Sequence, residues 1–301
     1  MHDHHHHHPP GVRHNRAFAL GVILNLGFVV VELLYGLLAG SLALIADAWH
    51  NLSDVFSLLL AWGAAWLATR TPTLRRSYGY RRVTILASLF SAMLLIAALG
   101  AIALESLKRF TEPQAVDGQV VILVALVGVV INTATALLFI RGQKHDLNLR
   151  GAFLHMAADA AVSLGVVLAG IAILYTGWLW LDPAISLGIV ALVFVSTWKL
   201  MQESLSLVID AVPTGIDPQE VADYLLGLPG VVGQHDLHIW AMSTTETALT
   251  VHLTMGECPD SDAFLQELAG QLEERFGIHH CTVQIECGPP ENCPLAGPGS
   301  L

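Results

Sequence analysis

The sequence predicts an α-helical membrane protein that ends in a small α+β domain. Hydrophobic residues make up 54% of the 301 residues and charged residues only 13%, whereas an ordinary soluble domain carries roughly 25% charged residues. Six long apolar stretches separated by short polar breaks fill the first 210 residues. This composition argues against a disordered chain, a collagen, a coiled coil and a basic nucleic-acid-binding protein.

The six stretches have the length of membrane spans. A helix needs about 20 mainly apolar residues to cross the hydrocarbon core of a bilayer. Two stretches, Val83 to Leu104 and Gly118 to Ile140, contain no Asp, Glu, Lys, Arg or His at all. The predicted spans lie near residues 16–38, 41–68, 83–107, 116–140, 149–175 and 178–206.

Basic residues predict the orientation of these spans. Of the 14 Lys and Arg residues, 11 lie before span one, between spans two and three, between spans four and five, or near the end of span six. Only Lys108 and Arg109 lie in the loops on the other side. Because cytoplasmic loops are enriched in Lys and Arg, both termini are predicted to be cytoplasmic. The N-terminus lacks the features of a cleaved secretory signal, so span one is expected to be retained.

The net charge of −11 is divided unevenly along the chain. Residues 1–210 carry 13 basic and 12 acidic side chains, whereas residues 211–301 carry Arg275 alone against 13 carboxylates. The chain is therefore predicted to have a nearly neutral transmembrane domain (16–210) and an acidic cytoplasmic domain (211–290). A His-rich cytoplasmic tail (1–15) precedes them and a C-terminal tail (291–301) follows.

Two spans contain matching pairs of ionisable residues. Span two carries His50 and Asp54, and span five carries His155 and Asp159. Both pairs have i,i+4 spacing, which places the two side chains on one face of a helix. Charged side chains inside a bilayer cost several kcal/mol, so such residues are functional candidates by default.

The depths of the two pairs agree. The predicted topology makes the spans antiparallel, and at about 1.5 Å per residue His50 and Asp54 lie roughly 13 and 19 Å from the outer surface. Asp159 and His155 lie roughly 15 and 21 Å from it. Two imidazoles and two carboxylates at one depth suit Zn²⁺ in tetrahedral geometry. The alternative is that each pair makes only structural hydrogen bonds between helices.

Two further acidic residues lie within the predicted spans. Asp47 precedes His50 by three residues on a similar helix face, and Glu32 lies in span one. Each could form part of a proton or ion path, and Asp47 could also orient an imidazole. A purely structural role for either residue is an equal alternative.

Four motifs carry a resemblance to a known family. The run SLALIADAWHNLSD, the loop SYGYRR, the run LNLRGAFLHMAAD and the later GVVGQHDLHIW occur in this order. Together they resemble the cation diffusion facilitator family, in the branch with His and Asp on both helices. The resemblance extends from Arg16 to about Cys287. The loop between spans four and five holds a single His145 and no His-rich tract, which favours a bacterial inner-membrane protein.

The resemblance implies a function as well as a fold. Members of this family are homodimers with six membrane helices that export Zn²⁺, and sometimes Cd²⁺ or Co²⁺, from the cytoplasm in exchange for protons. The implied transport site consists of His50, Asp54, His155 and Asp159. The expected partners are membrane lipid, a second copy of the chain, divalent metal ions and protons, with no nucleic acid. No catalytic cofactor is expected, since the metal is the substrate. Proton exchange also follows from the ligands, because a metal requires neutral imidazole and ionised carboxylate.

The acidic domain is predicted to fold in the order α-β-β-α-β. Asp217 can cap a helix that begins at Pro218 and continues to Leu226. Alternating patterns predict strands at 236–242 and 248–255 and a third at 281–286, and a helical pattern covers 261–276. The strong negative charge of such a small domain is a reason for it to bind cations.

The acidic domain also contains candidate metal ligands. They are His235, His238, His252, Glu286 and Cys287. By resemblance, His235, His252 and Glu286 match a metal site in the cytoplasmic dimerisation domain of the family, so Zn²⁺ is expected as a ligand of this domain.

The four cysteines lie in a compartment that is predicted to be reducing, where a metal or a free thiol is favoured over a disulfide. Cys287 and Cys293 are spaced too widely for a CxxC site, so they are either a ligand pair or two inert thiols. Cys258 and Cys281 belong to no motif and are expected to serve in packing.

The N-terminal tail contains His2 and His4 to His8. These histidines have three possible interpretations: a native flexible metal collector, a ligand for the partner's cytoplasmic site, and part of a purification tag. The interruption by Asp3 favours the native tail.

Two functional classes other than transport are alternatives for this sequence, an intramembrane zinc enzyme and a membrane-anchored metal sensor. An intramembrane zinc enzyme would need an open coordination position and a general base, typically in HExxH, which the sequence lacks. A membrane-anchored metal sensor would not need ligands in the middle of the bilayer. The prediction is therefore an efflux transporter and not an enzyme.

Overall fold

The structure, a computed structural model, describes residues 14–140, 147–257 and 261–287. Six long helices come first and an α+β domain follows, as predicted. The helices are α1 (His14–Ala39), α2 (Leu42–Ala68), α3 (Val83–Thr111), α4 (Gly118–Phe139), α5 (Leu147–Thr176) and α6 (Leu181–Val208). Among the described residues, five helices are long and apolar enough to span a membrane, and the apolar segment Leu26–Ala39 of α1 is shorter.

The start of the sixth helix differs slightly from the prediction. The sequence predicted a span from residue 178, but α6 begins at Leu181. Gly177 has a φ of +69° just after α5, and the segment that follows brings the rings of Trp178 and Trp180 into a stack. Pro183 then lies in the first turn of α6, where the absence of its N–H is tolerated.

The described residues divide into two compact units. One unit takes residues up to Leu58 together with Met93–Trp198, and the other takes Leu59–Ala92 together with the residues from Lys199 onward. The apolar core of the first unit draws on all six helices. Its most buried members include Phe28, Leu44, Leu99, Val121, Val166 and Val193.

Two glycines bring α4 and α5 close together. A Cβ atom at Gly170 would lie 2.9 Å from Ile122 Cγ1, and one at Gly118 would lie 3.1 Å from the Gly170 carbonyl oxygen. Small residues allow helix backbones to approach in this way within membranes, where van der Waals contact drives helix association. The close packing holds α5, which carries one of the two predicted ligand pairs, against α4.

A buried carboxylate on α6 anchors the start of α2. Asp182, only 1% exposed, accepts hydrogen bonds from the backbone N–H groups of Leu42 (2.7 Å) and Ala43 (3.3 Å), and from the Ser41 hydroxyl. Arg109 Nη1 lies 3.6 Å from its second oxygen and donates to the Gly40 carbonyl. The first turn of α2 is thus capped by a residue distant in sequence, because the free N–H groups of a helix start attract a carboxylate.

The second unit contains the α+β domain. After the six helices come α7 (Pro218–Leu226), β1 (Val231–Ala241), β2 (Thr247–Met255), α8 (Ser261–Phe276) and β3 (Ile278–Cys287), in the predicted α-β-β-α-β order. Asp217 caps α7 by accepting the Gln219 N–H at 2.8 Å, as expected. β1 begins five residues earlier than predicted, because register shifts at Val231/Gly233 and His235/His238 break the alternating pattern that marks a strand.

The three strands form one sheet in the order β1-β2-β3. β1 pairs antiparallel with β2, and β2 pairs parallel with β3 after the α8 crossover. Leu249, Val251 and Leu253 of β2 belong to the core formed with α7 and α8. Because side chains alternate along a strand, His252 lies on the other face of the sheet.

The loop between α2 and α3 is tied to the α+β domain within this unit. Arg81 pairs with Glu246 at 3.2 Å, and the Thr244 N–H donates to Thr84 Oγ1 at 3.1 Å. The ring of Tyr78 packs edge to face against His280. These contacts connect sequence segments more than 150 residues apart.

We predict that Asp182→Asn destabilises the protein by about 3–5 kcal/mol, the usual cost of breaking a buried ion pair. The measurement is thermal unfolding of the purified chain in detergent. Glu112→Gln is the matched control, because its pair with Lys108 is 3.9 Å wide and exposed and such pairs contribute about 0–1 kcal/mol. Equal melting temperatures for the two variants would contradict the anchoring role.

Candidate metal sites

The four ionisable side chains predicted at mid-membrane lie together. His50 Nε2 lies 3.4 Å from Asp159 Oδ1, and His155 Nε2 lies 3.1 Å from Asp54 Oδ2. Along α2, His50 Nδ1 is 3.8 Å from Asp54 Oδ2. Along α5, His155 Nε2 is 3.7 Å from Asp159 Oδ2. Helical i,i+4 spacing aligns each pair, and the packing of α2 beside α5 joins the pairs into one cluster.

The size of this cluster suits a small tetrahedral ion. Ligands about 2.0 Å from a tetrahedral Zn²⁺ are about 3.3 Å from one another. The four separations, which run from 3.1 to 3.8 Å, bracket that value. One ligand atom each from Asp54, His155 and Asp159 lies within 4.8 Å of the other two. Two carboxylates with two neutral imidazoles carry a charge of −2, which balances a divalent cation.

The cluster is open on one side and buried on the other. The side chains of Asp54 and His155 are 34% and 43% exposed, whereas those of His50 and Asp159 are 15% and 2% exposed. The two imidazole rings meet edge to face with centroids 6.0 Å apart, so neither ring covers the other. Two of the four side chains are therefore accessible at the surface of this unit, and the other two are buried within it.

A second polar cluster lies on the buried side. Glu32 and Asp47 have no exposed surface, and their carboxyl groups interact with each other. Ser163 donates a hydrogen bond to Asp47 Oδ2 at 3.0 Å, and Asn51 donates to Glu32 Oε2 at 3.5 Å. Within the described residues, Glu32 Oε1 and Asp47 Oδ1 have no hydrogen-bond partner. Two adjacent buried carboxylates cannot both remain ionised without a cation, so this cluster is able to hold a proton.

Three buried polar residues of the helices were not singled out from the sequence, and two of them, Asn51 and Ser163, contact the second cluster. Asn51, Asn132 and Ser163 are all at most 4% exposed. Ser163 follows Asp159 by four residues and Asn51 follows Asp47 by four, so both could have been found from helix-face spacing. Asn132 lies in the second half of α4, which has no ionisable residue, and a buried amide there is itself a signal because buried polar groups in membranes need a reason.

The predicted cytoplasmic ligands also come together. His235 and His252 are directly paired across β1 and β2. His252 Nδ1 lies 2.8 Å from Glu286 Oε1, and His235 Nε2 lies 3.5 Å from Glu286 Oε2. One ligand atom from each of the three residues lies within 4.8 Å of the other two. His235 Nε2 is buried and has no hydrogen-bond partner among the described residues, so these donors fit a metal ion.

The remaining candidate ligands have different surroundings. His238 lies outside this three-residue group and contacts Asp236, with His238 Nε2 3.0 Å from Asp236 Oδ1. Cys287 ends β3, beside Glu286, and is disulfide-bonded in the structure, so the expectation of a metal ligand or a free thiol at this position is wrong. Cys293 lies outside the described residues, as do Cys258 and the His-rich tail. Cys281 packs against the domain core, and burial raises the pKa of its thiol, which favours the inert protonated form.

Comparisons with known proteins agree with this architecture. A family model described as the cation efflux transmembrane domain matches residues 18–209, and one described as the cation efflux protein cytoplasmic domain matches residues 213–287. The chain is 36% identical over 296 residues to the metal cation efflux system protein CzcD of Cupriavidus metallidurans, covering 98% of this chain and 92% of the relative.

Two other relatives have more specific names. The chain is 32% identical to the cadmium, cobalt and zinc/H(+)-K(+) antiporter of Bacillus velezensis, with 92% of this chain and 90% of the relative covered. It is also 32% identical to the zinc transporter ZitB of Escherichia coli, with 96% and 92% covered. With matches over nearly its whole described length, this multi-pass membrane protein belongs to the cation efflux family, the cation diffusion facilitators that its motifs resemble.

Proposed function

We propose that this protein exports divalent metal cations, chiefly Zn²⁺, from the cytoplasm in exchange for protons. The observation that carries the proposal is the convergence of two imidazoles and two carboxylates on α2 and α5, at separations that suit one small ion. The names of the relatives support a metal substrate and give zinc, cadmium and cobalt as candidates. In this proposal His50, Asp54, His155 and Asp159 are the transport site.

Carriage fits this ligand set better than hydrolysis does. Four protein ligands occupy every position of a tetrahedral ion, whereas a catalytic zinc keeps one position open for water. A metal sensor anchored in the membrane would have no need for ligands within two helices of the bundle. The metal is therefore a cargo that must bind and then leave.

The ligands themselves provide the coupling to protons. Metal binding requires both imidazoles to be neutral and both carboxylates to be ionised, so protons and metal compete for the same four side chains. Protons that arrive from the outer side displace the metal there. The name of the Bacillus relative, an antiporter for H(+) and K(+), agrees with such an exchange.

Glu32 and Asp47 are proposed to lie on the proton path. Their carboxyl groups interact directly and are fully buried, with Glu32 on α1 and Asp47 on α2, which also carries two of the proposed ligands. Asp47 precedes His50 by less than one turn of α2, so a proton held by the pair is close to a ligand that must gain or lose one. The same position lets Asp47 orient the imidazole of His50.

The α+β domain is proposed to be cytoplasmic and to bind a resident metal. His235, His252 and Glu286 would hold it. A bound cation would reduce the repulsion within a domain whose segment, 211–301, carries a net charge of −12. The domain then serves as the dimerisation surface between two copies of the chain, and the His-rich tail collects metal for them.

The proposed location is the bacterial inner membrane, with both termini in the cytoplasm. The Arg-rich loop between α2 and α3 and the basic residues between α4 and α5 lie on the proposed cytoplasmic side. The proposed domain boundaries remain 1–15, 16–210, 211–290 and 291–301.

Loss of one transport ligand should abolish flux. We expect His155→Ala to reduce Zn²⁺ transport by more than about 100-fold, since even partners of metal ligands contribute 10–100-fold. Reconstituted vesicles with an imposed pH gradient and a fluorescent zinc indicator provide the measurement. His279→Ala, which removes an exposed histidine on β3, is the matched control. Transport by His155→Ala at the rate of this control would rule out the proposed site.

The metal preference should depend on His50. In His50→Asp an oxygen donor replaces a nitrogen donor, and oxygen-rich sites discriminate less strongly for Zn²⁺. We expect transport to persist with the preference moved towards Cd²⁺. The measurement is competition between Zn²⁺ and Cd²⁺ in the same vesicles, and an unchanged ratio of the two rates would count against the assignment.

The proton path can be tested separately from metal binding. Glu32→Gln removes the exchangeable proton but keeps the shape of the side chain, so Zn²⁺ affinity should be retained while flux driven by a pH gradient falls severalfold. Affinity is measured by chelator competition and flux in vesicles. Glu203→Gln is the control, since Glu203 lies on α6 and pairs only loosely with Lys199, at 3.8 Å. Full flux in Glu32→Gln would remove this residue from the path.

A further inference from the structure

The strand β1 contains an irregularity beside the cytoplasmic metal ligands. His235 pairs with His252 and His238 pairs with Thr250, so three steps along β1 oppose two steps along β2. The extra residue is accommodated at Asp236, whose φ is +55°. Residues other than glycine rarely adopt this left-handed conformation, and Asp and Asn tolerate it best. A strained residue next to a binding site is a reason to examine what its side chain does.

The bulge changes which side chains face His252. In a regular strand His235 and His238 would point to opposite faces, because side chains alternate. Because of the extra residue, His235 and His238 instead point to the same face of the sheet, and Asp236 lies between them in sequence. Asp236 Oδ2 lies 3.8 Å from His252 Nε2, and its Oδ1 lies 3.0 Å from His238 Nε2.

His252 thus has a carboxylate at each ring nitrogen. Its Nδ1 lies 2.8 Å from Glu286 Oε1, on the side where His235 Nε2 also approaches Glu286. Its Nε2 points to Asp236 on the opposite side of the ring. A neutral imidazole can bind metal through only one nitrogen, and the other then carries the proton. The two carboxylates must therefore have different roles.

We propose that Asp236, held in place by His238, is a positioning residue for the cytoplasmic metal site. In this arrangement His252 binds the metal through Nδ1 beside His235 and Glu286, and its Nε2–H donates to Asp236. The carboxylate fixes the tautomer and the ring orientation and makes the imidazole a stronger ligand, as in other carboxylate–histidine–metal triads. The inference rests on the proposed cytoplasmic site.

The burial of the groups agrees with this division of roles. The side chains of His252 and His235 are 10% and 11% exposed, and that of Glu286 is 16% exposed. The side chain of His238 is 53% exposed. The proposed ligands are thus the most buried of these side chains. Asp236 lies between them and solvent, and His238, which is proposed to hold Asp236, lies at the surface.

The test compares Asp236→Asn, His238→Ala and His252→Ala, each made in the same background chain, which keeps both the membrane domain and the α+β domain. In this background, His50→Ala with Asp159→Asn removes the transport site, and deletion of residues 1–10 removes the histidine tail. Asn tolerates a positive φ, so Asp236→Asn keeps the bulge and removes the charge. Zn²⁺ affinity is measured by chelator competition, and Co²⁺ absorption reports the number and type of ligands. His279→Ala on β3 is the histidine control.

We expect Asp236→Asn to weaken Zn²⁺ binding by about 10–100-fold, the range for partners of metal ligands, with an unchanged Co²⁺ spectrum. His238→Ala should weaken binding less, and His279→Ala should not change it. An affinity equal to that of His279→Ala would overturn the proposal. An altered Co²⁺ spectrum in Asp236→Asn would also overturn it, because Asp236 would then be a ligand.

The His252→Ala variant separates this inference from the site on which it depends. Loss of Zn²⁺ binding in His252→Ala with normal binding in Asp236→Asn would overturn only the role of Asp236. Normal binding in both variants would overturn the cytoplasmic site itself. Neither outcome bears on the transport site, because flux through that site is measured in a chain with His50 and Asp159 intact.

Discussion

The cost of placing ionisable groups inside a bilayer is the constraint on which this molecule depends. Each of the groups in α2 and α5 would be expensive alone, and each is brought into contact with a group that can offset its charge. His50 meets Asp159 and His155 meets Asp54 between the helices, in addition to the pairs within each helix. The cluster still carries two carboxylates, so a divalent cation or a pair of protons satisfies it. The bilayer requires the negative charge of the cluster to be offset, and the proposed exchange requires that either a metal ion or protons offset it. One set of side chains therefore meets both requirements.

The rest of the membrane unit holds these two helices in register. Asp182 caps the first turn of α2 from α6 and is itself paired with Arg109 of α3. On the other side, Gly170 lets α5 lie close to α4. A shift of α2 along its axis by one residue, about 1.5 Å, would be enough to change both distances that join α2 to α5 in the four-residue cluster. Buried contacts far from the four-residue cluster thus determine the geometry of the cluster.

The α+β domain brings its candidate metal ligands together by a different structural feature from that of the helices. Its three candidate ligands come from three strands, and a bulge rather than helical spacing aligns their neighbours. The apolar face of the sheet is covered by α7 and α8, which leaves the face with His252 for polar groups. Such a domain gains stability from a bound cation because its own charge is strongly negative. The two proposed metal sites accordingly depend on different structural features, i,i+4 spacing on two helices in one unit and a strand bulge in the other.

Much of this molecule was determined by local sequence, since helix spans, caps and i,i+4 pairs depend on residues close together in the chain. The six helices, the cap at Asp217 and the pairing of His50 with Asp54 follow from spacing and composition alone. The roles of Asp182 and Asp236 do not, because Asp182 caps a helix that is distant in sequence and Asp236 depends on the bulge of β1 and on His252 of the next strand. The start of β1 was also missed, since its bulges hide the alternation that identifies a strand. Only the tertiary structure decided these features, because a buried polar group finds its partner through packing and not through position along the chain.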